Sequence, residues 1–147
     1  MTITTFDTLN EADQELVRAA MRAREHAYTP YSRHKVGASV RSKSGKIYTG
    51  CNIEIITLQT SSHAERNAVV NMAMHGERLI DTVVCYGPYS GVPCAECRQV
   101  IWEFCANNPD VRIIGATTEG EIELMTIGEI YPYAYGPETK QVDPTQF

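Results

Sequence analysis

Apolar residues recur at helical spacing near the start of the chain. They are three or four positions apart, as on one face of a helix: Leu9, Ala12, Leu16, Ala20, Ala23 and Ala27. Thr8 and Glu11 fit a capping box, in which two side chains satisfy free N–H groups at a helix start. We therefore expect a first helix that begins after Thr8 and ends before the TPYS stretch at 29–32.

Shorter apolar runs follow. KVGASVRS at 35–42 and KIYTGCNI at 46–53 flank Ser44-Gly45, and two strand-like runs around such turn residues predict a hairpin. The stretch from His63 to Met74 predicts a second helix, because Gly76 lies just beyond it, where a helix commonly ends.

The second half of the chain alternates strands with one more helix. TVVCYG at 82–87 predicts a buried strand, and Pro93 predicts the start of a third helix that runs to about Cys105. VRIIGAT at 111–117 and EIELMTI at 121–127 predict two further strands, the last followed by a short final helix.

This order of elements predicts an α/β fold, a three-layer α-β-α sandwich with a mixed five-stranded sheet and helices on both faces. With 147 residues and no repeat, low-complexity tract or Gly/Ser linker, we expect one domain over residues 1–147. The first twenty residues contain four acidic side chains and no long apolar run. We therefore expect no signal peptide and no membrane span, and a cytoplasmic protein.

The net charge and the number of cysteines limit the classes of function that we expect for the chain. The formal net charge of −5 argues against a nucleic-acid partner, since binding to a phosphate backbone usually requires a basic face. Five cysteines, an odd number, favour thiols or metal ligands over a disulfide framework. Only Cys94 and Cys97 have the spacing of metal ligands, whereas Cys51 and Cys85 lie in strand-like runs and are expected to be buried.

The candidate metal-binding and catalytic residues lie at the starts of two predicted helices. Cys94 and Cys97 are three residues apart on a first helical turn, so both sulfur atoms can face one point. His63 and Glu65, at the start of another helix, can reach an object that lies off its end. Two helix N-termini directed at one metal ion would favour thiolates there.

One histidine and two thiolates make three ligands, which leaves a fourth zinc position for water and suggests catalysis. Glu65 is placed to move protons, because zinc lowers the pKa of its water to about 7. Alternatives remain open: a lone His-x-Glu is usually incidental, a lone Cys-x-x-Cys can be a redox pair or a structural clip, and a non-catalytic zinc module would use a fourth protein ligand.

With these residues assembled, the chain resembles the cytidine deaminase family, whose zinc-site pattern is H-x-E…P-C-x-x-C. The resemblance extends over about residues 28–137 and is to the short, single-domain nucleoside form. The matching blocks are YTPYSRHKVGAS, GKIYTGCNIE, HAER, PCAECRQVIWEF and GEIYP…YGPE.

The resemblance implies roles for these positions. His63, Cys94 and Cys97 would bind one Zn²⁺ per chain, and Glu65 would carry protons to N3 and to the departing amine of a cytosine nucleoside. The products would be a uracil nucleoside and ammonia. Ala64 would contact the substrate, and the family form implies a homo-oligomer, most simply a homotetramer.

Further positions follow from the same resemblance. Asn52 and Glu54 match a family N-x-E whose side chains hydrogen-bond the sugar hydroxyls; the alternative is a polar loop after a strand. The short form commonly has cysteine at the position of His63, with an arginine that offsets three thiolates. Arg66 is retained here, and we expect it to orient a thiolate or the helix end.

The chain departs from the family around the base. His34 replaces a usual phenylalanine, Ile55-Ile56-Thr57-Leu58 replaces Asn-Ala-Ser-Tyr, and Tyr135 replaces another phenylalanine. These changes are either compensated drift or a sign that the enzyme accepts a base-modified cytosine nucleoside, with weakened use of cytidine. A deaminase of a nucleoside antibiotic such as blasticidin S is the nearest rival, and a nucleic-acid editing deaminase is disfavoured by the acidic charge.

Overall fold

A computed structural model covers residues 1–147 and contains six strands and four α-helices. The strands are β1 (Thr2–Thr5), β2 (Gly37–Ser42), β3 (Ile47–Cys51), β4 (Ile80–Gly87), β5 (Arg112–Thr117) and β6 (Glu121–Thr126). The helices are α1 (Glu11–Glu25), α2 (Ala64–Met74), α3 (Ala95–Glu103) and α4 (Ile127–Ile130). Short 3₁₀ turns occupy Phe6–Thr8, Pro137–Lys140 and Pro144–Gln146.

All six strands form one mixed sheet in the order β1-β6-β5-β4-β2-β3. Only the central β4 and β5 pair is parallel, and α3 forms the crossover between these two strands. The mixed sheet is confirmed, but it has six strands rather than the predicted five. The additional strand β1 is a four-residue edge strand paired with β6, and it lacks the alternating burial that would make it visible in the sequence.

The sheet separates two apolar clusters. Helix α1 packs on one face, where Leu16 and Val17 contact a cluster that includes Val84. Helices α2 and α3 pack on the other face, where Val69 and Ile101 share a cluster with Val83. Neighbouring residues of β4 thus point to opposite faces, as strand geometry requires, and the predicted three-layer arrangement is confirmed.

The start of α1 differs from the prediction. Asn10 caps this helix, because its side-chain oxygen accepts a hydrogen bond from the Asp13 N–H at 2.9 Å. The Thr8 hydroxyl instead donates to the carbonyl of Thr5 at 2.7 Å, within the 3₁₀ turn that precedes the helix. The predicted Thr8–Glu11 capping box is therefore wrong.

The other predicted boundaries hold to within two residues. Helix α2 is preceded by His63 as its N-cap and followed by Gly76, whose φ of +81° is the left-handed conformation typical of a helix terminator. Helix α3 ends at Glu103 rather than at about Cys105. None of the helices combines the length and the apolar character needed to cross a membrane.

Candidate active site

The candidate site lies where α2 and α3 begin, beside the carboxyl end of β4. His63 is the N-cap of α2 and Cys94 the N-cap of α3, and neither side chain caps its own helix. The two side chains instead contact each other, with the Nδ1 of His63 3.2 Å from the Sγ of Cys94. The positive ends of two helices therefore converge on these side chains.

Cys97 completes a group of three candidate metal ligands. Its Sγ lies 3.4 Å from the Nδ1 of His63, and the ligand atoms of His63, Cys94 and Cys97 all lie within 4.8 Å of one another. One imidazole nitrogen and two sulfur atoms are a donor set that zinc prefers. The group is compatible with a zinc site.

The surroundings of Cys97 also fit a cation. Burial raises the pKa of the Cys97 thiol, and the nearby Glu65 carboxylate and Cys94 raise it further, while the backbone N–H of Arg66 acts in the opposite direction. A metal ion at this point would offset the accumulated negative charge and favour the thiolate that binds it.

Glu65 lies in the first turn of α2 and is buried. Its Oε1 accepts a hydrogen bond from the Sγ of Cys85, on β4, at 3.4 Å. Burial, reinforced by the Glu65 charge, raises the pKa of the Cys85 thiol well above its ordinary value, so the thiol keeps its proton and remains a donor. The carboxylate is thus held by a neutral group rather than paired with a cation.

A cavity of about 250 Å³ opens over these residues. This volume is below the range of about 300–1,000 Å³ that is common for drug-sized ligands, so a small ligand is favoured. Six of the predicted site residues line the cavity: His34, Asn52, His63, Ala64, Glu65 and Cys94.

Asn52 connects the cavity wall to the segment that carries His34. The side-chain oxygen of Asn52 accepts a hydrogen bond from the Val36 N–H at 2.8 Å, and its amide donates to the carbonyl of His34, also at 2.8 Å. Asn52 therefore fixes the position of the 34–36 segment as well as lining the cavity.

Glu54 and Tyr135 are not brought to the cavity wall. Glu54 lies under the loop before His34, where the Ser32 hydroxyl and the backbone N–H groups of Tyr31 and Ser32 donate to its carboxylate. These hydrogen bonds, chiefly that of the Ser32 hydroxyl, hold the pKa of the Glu54 carboxyl below its usual range. Tyr135 lies beside Gln99, whose side chain donates to the Tyr135 carbonyl at 2.9 Å.

Arg66 links the two helix starts. Its guanidinium pairs with Glu96, which stands between the two candidate cysteine ligands on α3, and its backbone N–H faces the Cys97 sulfur. The side chain therefore ties the start of α2 to the start of α3, while the main chain contacts the thiol.

Five residues that line the cavity had no signal in motif spacing. Cys85 was expected only to be buried, and four others were not singled out as site residues: Val36, Gly87, Ser90 and Val92. Cys85 could have been found from the two-residue period of β4, which puts it on the same face as Val83, toward α2. The loop after β4 had no such periodicity.

The chain is similar to proteins of one enzyme family. The family model described as the cytidine and deoxycytidylate deaminase zinc-binding region matches residues 10–111. A cytidine deaminase of Sporosarcina psychrophila is 36% identical over 129 residues, which are 85% of this chain and 92% of the relative. A cytidine deaminase of Halalkalibacterium halodurans is 35% identical over 127 residues, which are 85% of this chain and 95% of the relative.

Solved structures of cytidine deaminases have the same fold as this chain. The crystal structure of cytidine deaminase from Burkholderia pseudomallei aligns with a TM-score of 0.79 and 30% identity, over 86% of this chain and 100% of that chain. The crystal structure of cytidine deaminase from Mycobacterium tuberculosis aligns with a TM-score of 0.73 and 27% identity, over 86% and 99% of the two chains.

Proposed function

The chain belongs to the cytidine deaminase family of hydrolytic enzymes, and from this premise we propose that it deaminates a cytosine nucleoside to the uracil nucleoside and ammonia. The observation that carries the proposal is the position of Glu65. Its buried carboxylate lines the same small cavity as His63 and Cys94, and it stands outside the three-residue metal-ligand group.

The division of roles follows from the donor chemistry. His63, Cys94 and Cys97 would hold one Zn²⁺, and when bound the ion supplies Lewis-acid chemistry that makes water a nucleophile near neutral pH. Two thiolates and a neutral imidazole balance the charge of the ion, so Arg66 is not needed to neutralise the site. Arg66 instead holds the two ligand-bearing helices together through Glu96.

Glu65 would move the protons of the reaction. The carboxylate accepts a proton from the attacking water, delivers it to N3 of the cytosine ring, and later passes the second water proton to the amine so that ammonia leaves. The C4–N bond breaks as the new C4–O bond becomes a carbonyl, and Glu65 returns to its starting state. A buried carboxylate held by the neutral Cys85 thiol suits this cycle, because no cationic side chain is paired with it.

Asn52 and Ala64 would position the nucleoside. Both line the cavity, and the Asn52 amide, although it bonds the 34–36 backbone, keeps a second N–H and a second oxygen lone pair for a sugar hydroxyl. A site that commits polar groups to a sugar rejects the free base, because those groups would be left unpaired. Glu54 would support this contact indirectly, because its carboxylate accepts hydrogen bonds from the backbone of the 31–32 loop and holds that loop in place.

The base specificity is proposed to differ from that of ordinary family members. His34 lines the cavity and offers an imidazole where a phenyl ring is usual, so it presents less stacking area but adds hydrogen-bonding capacity. We expect measurable turnover of cytidine or deoxycytidine together with tolerance of substituted cytosines. The similarity to cytidine deaminases favours these nucleosides over a blasticidin-type antibiotic.

We further propose that each chain forms one domain, that four chains assemble into a homotetramer, and that the protein is cytoplasmic. Large apolar side chains are exposed in the loop before α2, with Ile56 at 72% and Leu58 at 60% exposure. Tyr135 also lies on the surface, away from the cavity of its own chain. Burial of such groups against further copies would be favourable. A monomeric mass by light scattering at micromolar concentration, with activity intact, would exclude the oligomer.

The function is tested by an ultraviolet assay of the zinc-loaded protein with cytidine, deoxycytidine, cytosine and blasticidin S. We expect turnover of at least one of the first two, and little of free cytosine. The variant His34→Phe, assayed with cytidine and with 5- and N4-substituted cytidines, tests the base specificity. Absence of turnover of every cytosine nucleoside would contradict the proposed function, whereas a strong preference for plain cytidine that His34→Phe leaves unchanged would contradict only the altered specificity.

A further inference from the structure

A buried carboxylate outside the proposed machinery holds the loop between β4 and α3. Glu123, on β6, is 8% exposed and accepts a hydrogen bond from the Gly91 N–H at 2.9 Å. The hydroxyl of Ser90 donates to the same carboxylate oxygen at 3.3 Å. Both hydrogen bonds to Glu123 thus come from this one loop.

Glu123 has no cationic partner, since none of the ion pairs of the protein includes it. A buried charge without a counter-ion is costly unless hydrogen bonds compensate it, so the loop and the carboxylate stabilise each other. The loop backbone also packs directly on β5: a Cβ on Gly91 would lie 2.0 Å from the Cα of Gly115. The loop is therefore fixed at Gly91 by both packing and hydrogen bonding.

The fixed loop presents Tyr89 to His34. Their rings are stacked, with centroids 5.3 Å apart and planes inclined by 15°. Tyr89 is 81% exposed, so its ring does not fill the core, and its aromatic contact is with a residue that lines the cavity. Ser90 and Val92, on either side of Gly91, line the same cavity.

We infer that Tyr89, held in place through Glu123, is a positioning residue that fixes the His34 ring and thereby sets which substituents on the cytosine ring the cavity accepts. The inference rests on the proposed function for its substrate. Stacking on Tyr89 restricts rotation of the imidazole, so that its edge meets the base in one orientation. Loss of the stack frees the ring and changes the relative acceptance of bases that differ at one substituent.

The kinetic test compares kcat/KM for cytidine with kcat/KM for 5-methylcytidine. In Tyr89→Ala we expect the ratio of the two values to change by about three- to tenfold from that of the wild type, as loss of one aromatic pair implies. Tyr89→Phe, which keeps the stacked ring, should retain the wild-type ratio. Tyr133→Ala is the matched control, because Tyr133 is fully exposed on a different loop and should leave the ratio unchanged.

Glu123 is tested by two replacements. Glu123→Gln retains an oxygen that accepts from the Gly91 N–H and should stay close to the wild-type ratio. Glu123→Ala removes both hydrogen bonds and should reproduce the effect of Tyr89→Ala. Thermal unfolding of each variant shows whether it is folded, and the surface variants of Tyr89 test the inference even where Glu123→Ala is unstable.

A spectroscopic measurement separates this inference from the proposed function. The ring current of Tyr89 should shift the imidazole proton resonances of His34 upfield in the wild type and in Tyr89→Phe, and the shift should disappear in Tyr89→Ala. An enzyme that turns over cytidine, with the same base ratio in Tyr89→Ala or with unshifted His34 resonances in the wild type, would overturn the inference. Inactivity toward every cytosine nucleoside, with the His34 shift present, would overturn the proposed function and with it the assigned substrate.

Discussion

Asp13 and Glu65 are both buried carboxylates, on opposite faces of the same sheet. Asp13, on α1, is 1% exposed and pairs with Arg41 at 3.0 Å and Arg112 at 2.5 Å. Glu65, on α2, accepts a hydrogen bond from a neutral thiol, that of Cys85. One carboxylate is thus compensated by two cations within the protein, and the other is not.

The difference distinguishes a structural charge cluster from the cluster that is proposed to be catalytic. Burial by itself raises the pKa of the Asp13 carboxyl, but hydrogen bonds and charge from Arg112 and Arg41 outweigh it, so the pKa lies below its usual range. Near Glu65 the thiols of Cys85 and Cys97 have raised pKa values, and no basic side chain compensates the carboxylate. Uncompensated buried groups in a cavity are characteristic of catalytic and metal sites.

The largest expected effect is that of Cys97→Ala. Loss of one of three ligands should reduce bound zinc far below one per chain, and without the ion deamination should fall by several orders of magnitude. The ligand set also contributes to folding, so stability should fall as well. Metal analysis and the ultraviolet assay measure the two losses. Cys105→Ala is the matched control, since Cys105 is a buried cysteine outside the ligand group, and its thiol donates a hydrogen bond to the Ile101 carbonyl. A zinc-replete, active Cys97→Ala protein would refute the ligand assignment.

Asp13→Asn should affect stability alone. Asp13→Asn removes the charge that pairs with Arg41 and Arg112, but Arg41 keeps its ion pair with Asp81, so the free energy of unfolding should fall by about 2 kcal/mol at pH 7, with kcat unchanged at a temperature where the variant is folded. Because the folded pKa of Asp13 is lowered, the wild-type contribution is present above the unfolded pKa of about 3.9 and is lost as the pH falls through the folded pKa.

Denaturant unfolding as a function of pH measures this contribution. The stability difference between wild type and Asp13→Asn should be constant near neutrality and shrink below about pH 4. Asp7→Asn, at an exposed position, is the control. A large fall in kcat with unchanged stability would mean that the α1 face participates in catalysis.

Cys85→Ala should have the smallest of these effects. Removing a weak donor to a carboxylate is expected to cost about 1 kcal/mol, or about fivefold in kcat, with KM little changed. Cys85→Ser should restore much of the rate, because a hydroxyl can donate in place of the thiol. Equal loss in the Ala and Ser variants would indicate that Cys85 acts through packing instead.

The sequence predicted the parts of the site that depend on local rules. His63 and Glu65, and Cys94 and Cys97, are close in sequence and lie at helix starts, so spacing alone predicts their proximity within each pair. The central strands were predictable because they are buried on both faces. The edge strand β1 and the Asn10 cap were missed, since an exposed four-residue strand and a 3₁₀ turn leave no periodic pattern.

The remaining parts of the site depend on contacts between distant segments. Cys85 reaches Glu65 across 20 residues of sequence, and Gly91 reaches Glu123 across 32. No local rule predicts such contacts, because they follow from how the strands are ordered in the sheet. The roles of Glu54 and Tyr135 came from family resemblance, and the structure places neither on the cavity wall.

Glu65 is proposed to move protons without binding the metal, and the proposed function depends on this role most. The most direct measurement is zinc content and turnover of Glu65→Gln in the same preparation, with the wild type beside it. We expect about one zinc per chain in both proteins and a loss of about 10³-fold or more in kcat for the variant, since it removes the proton carrier and leaves the ligand group intact. Near-normal turnover, or loss of zinc together with activity, would contradict this role.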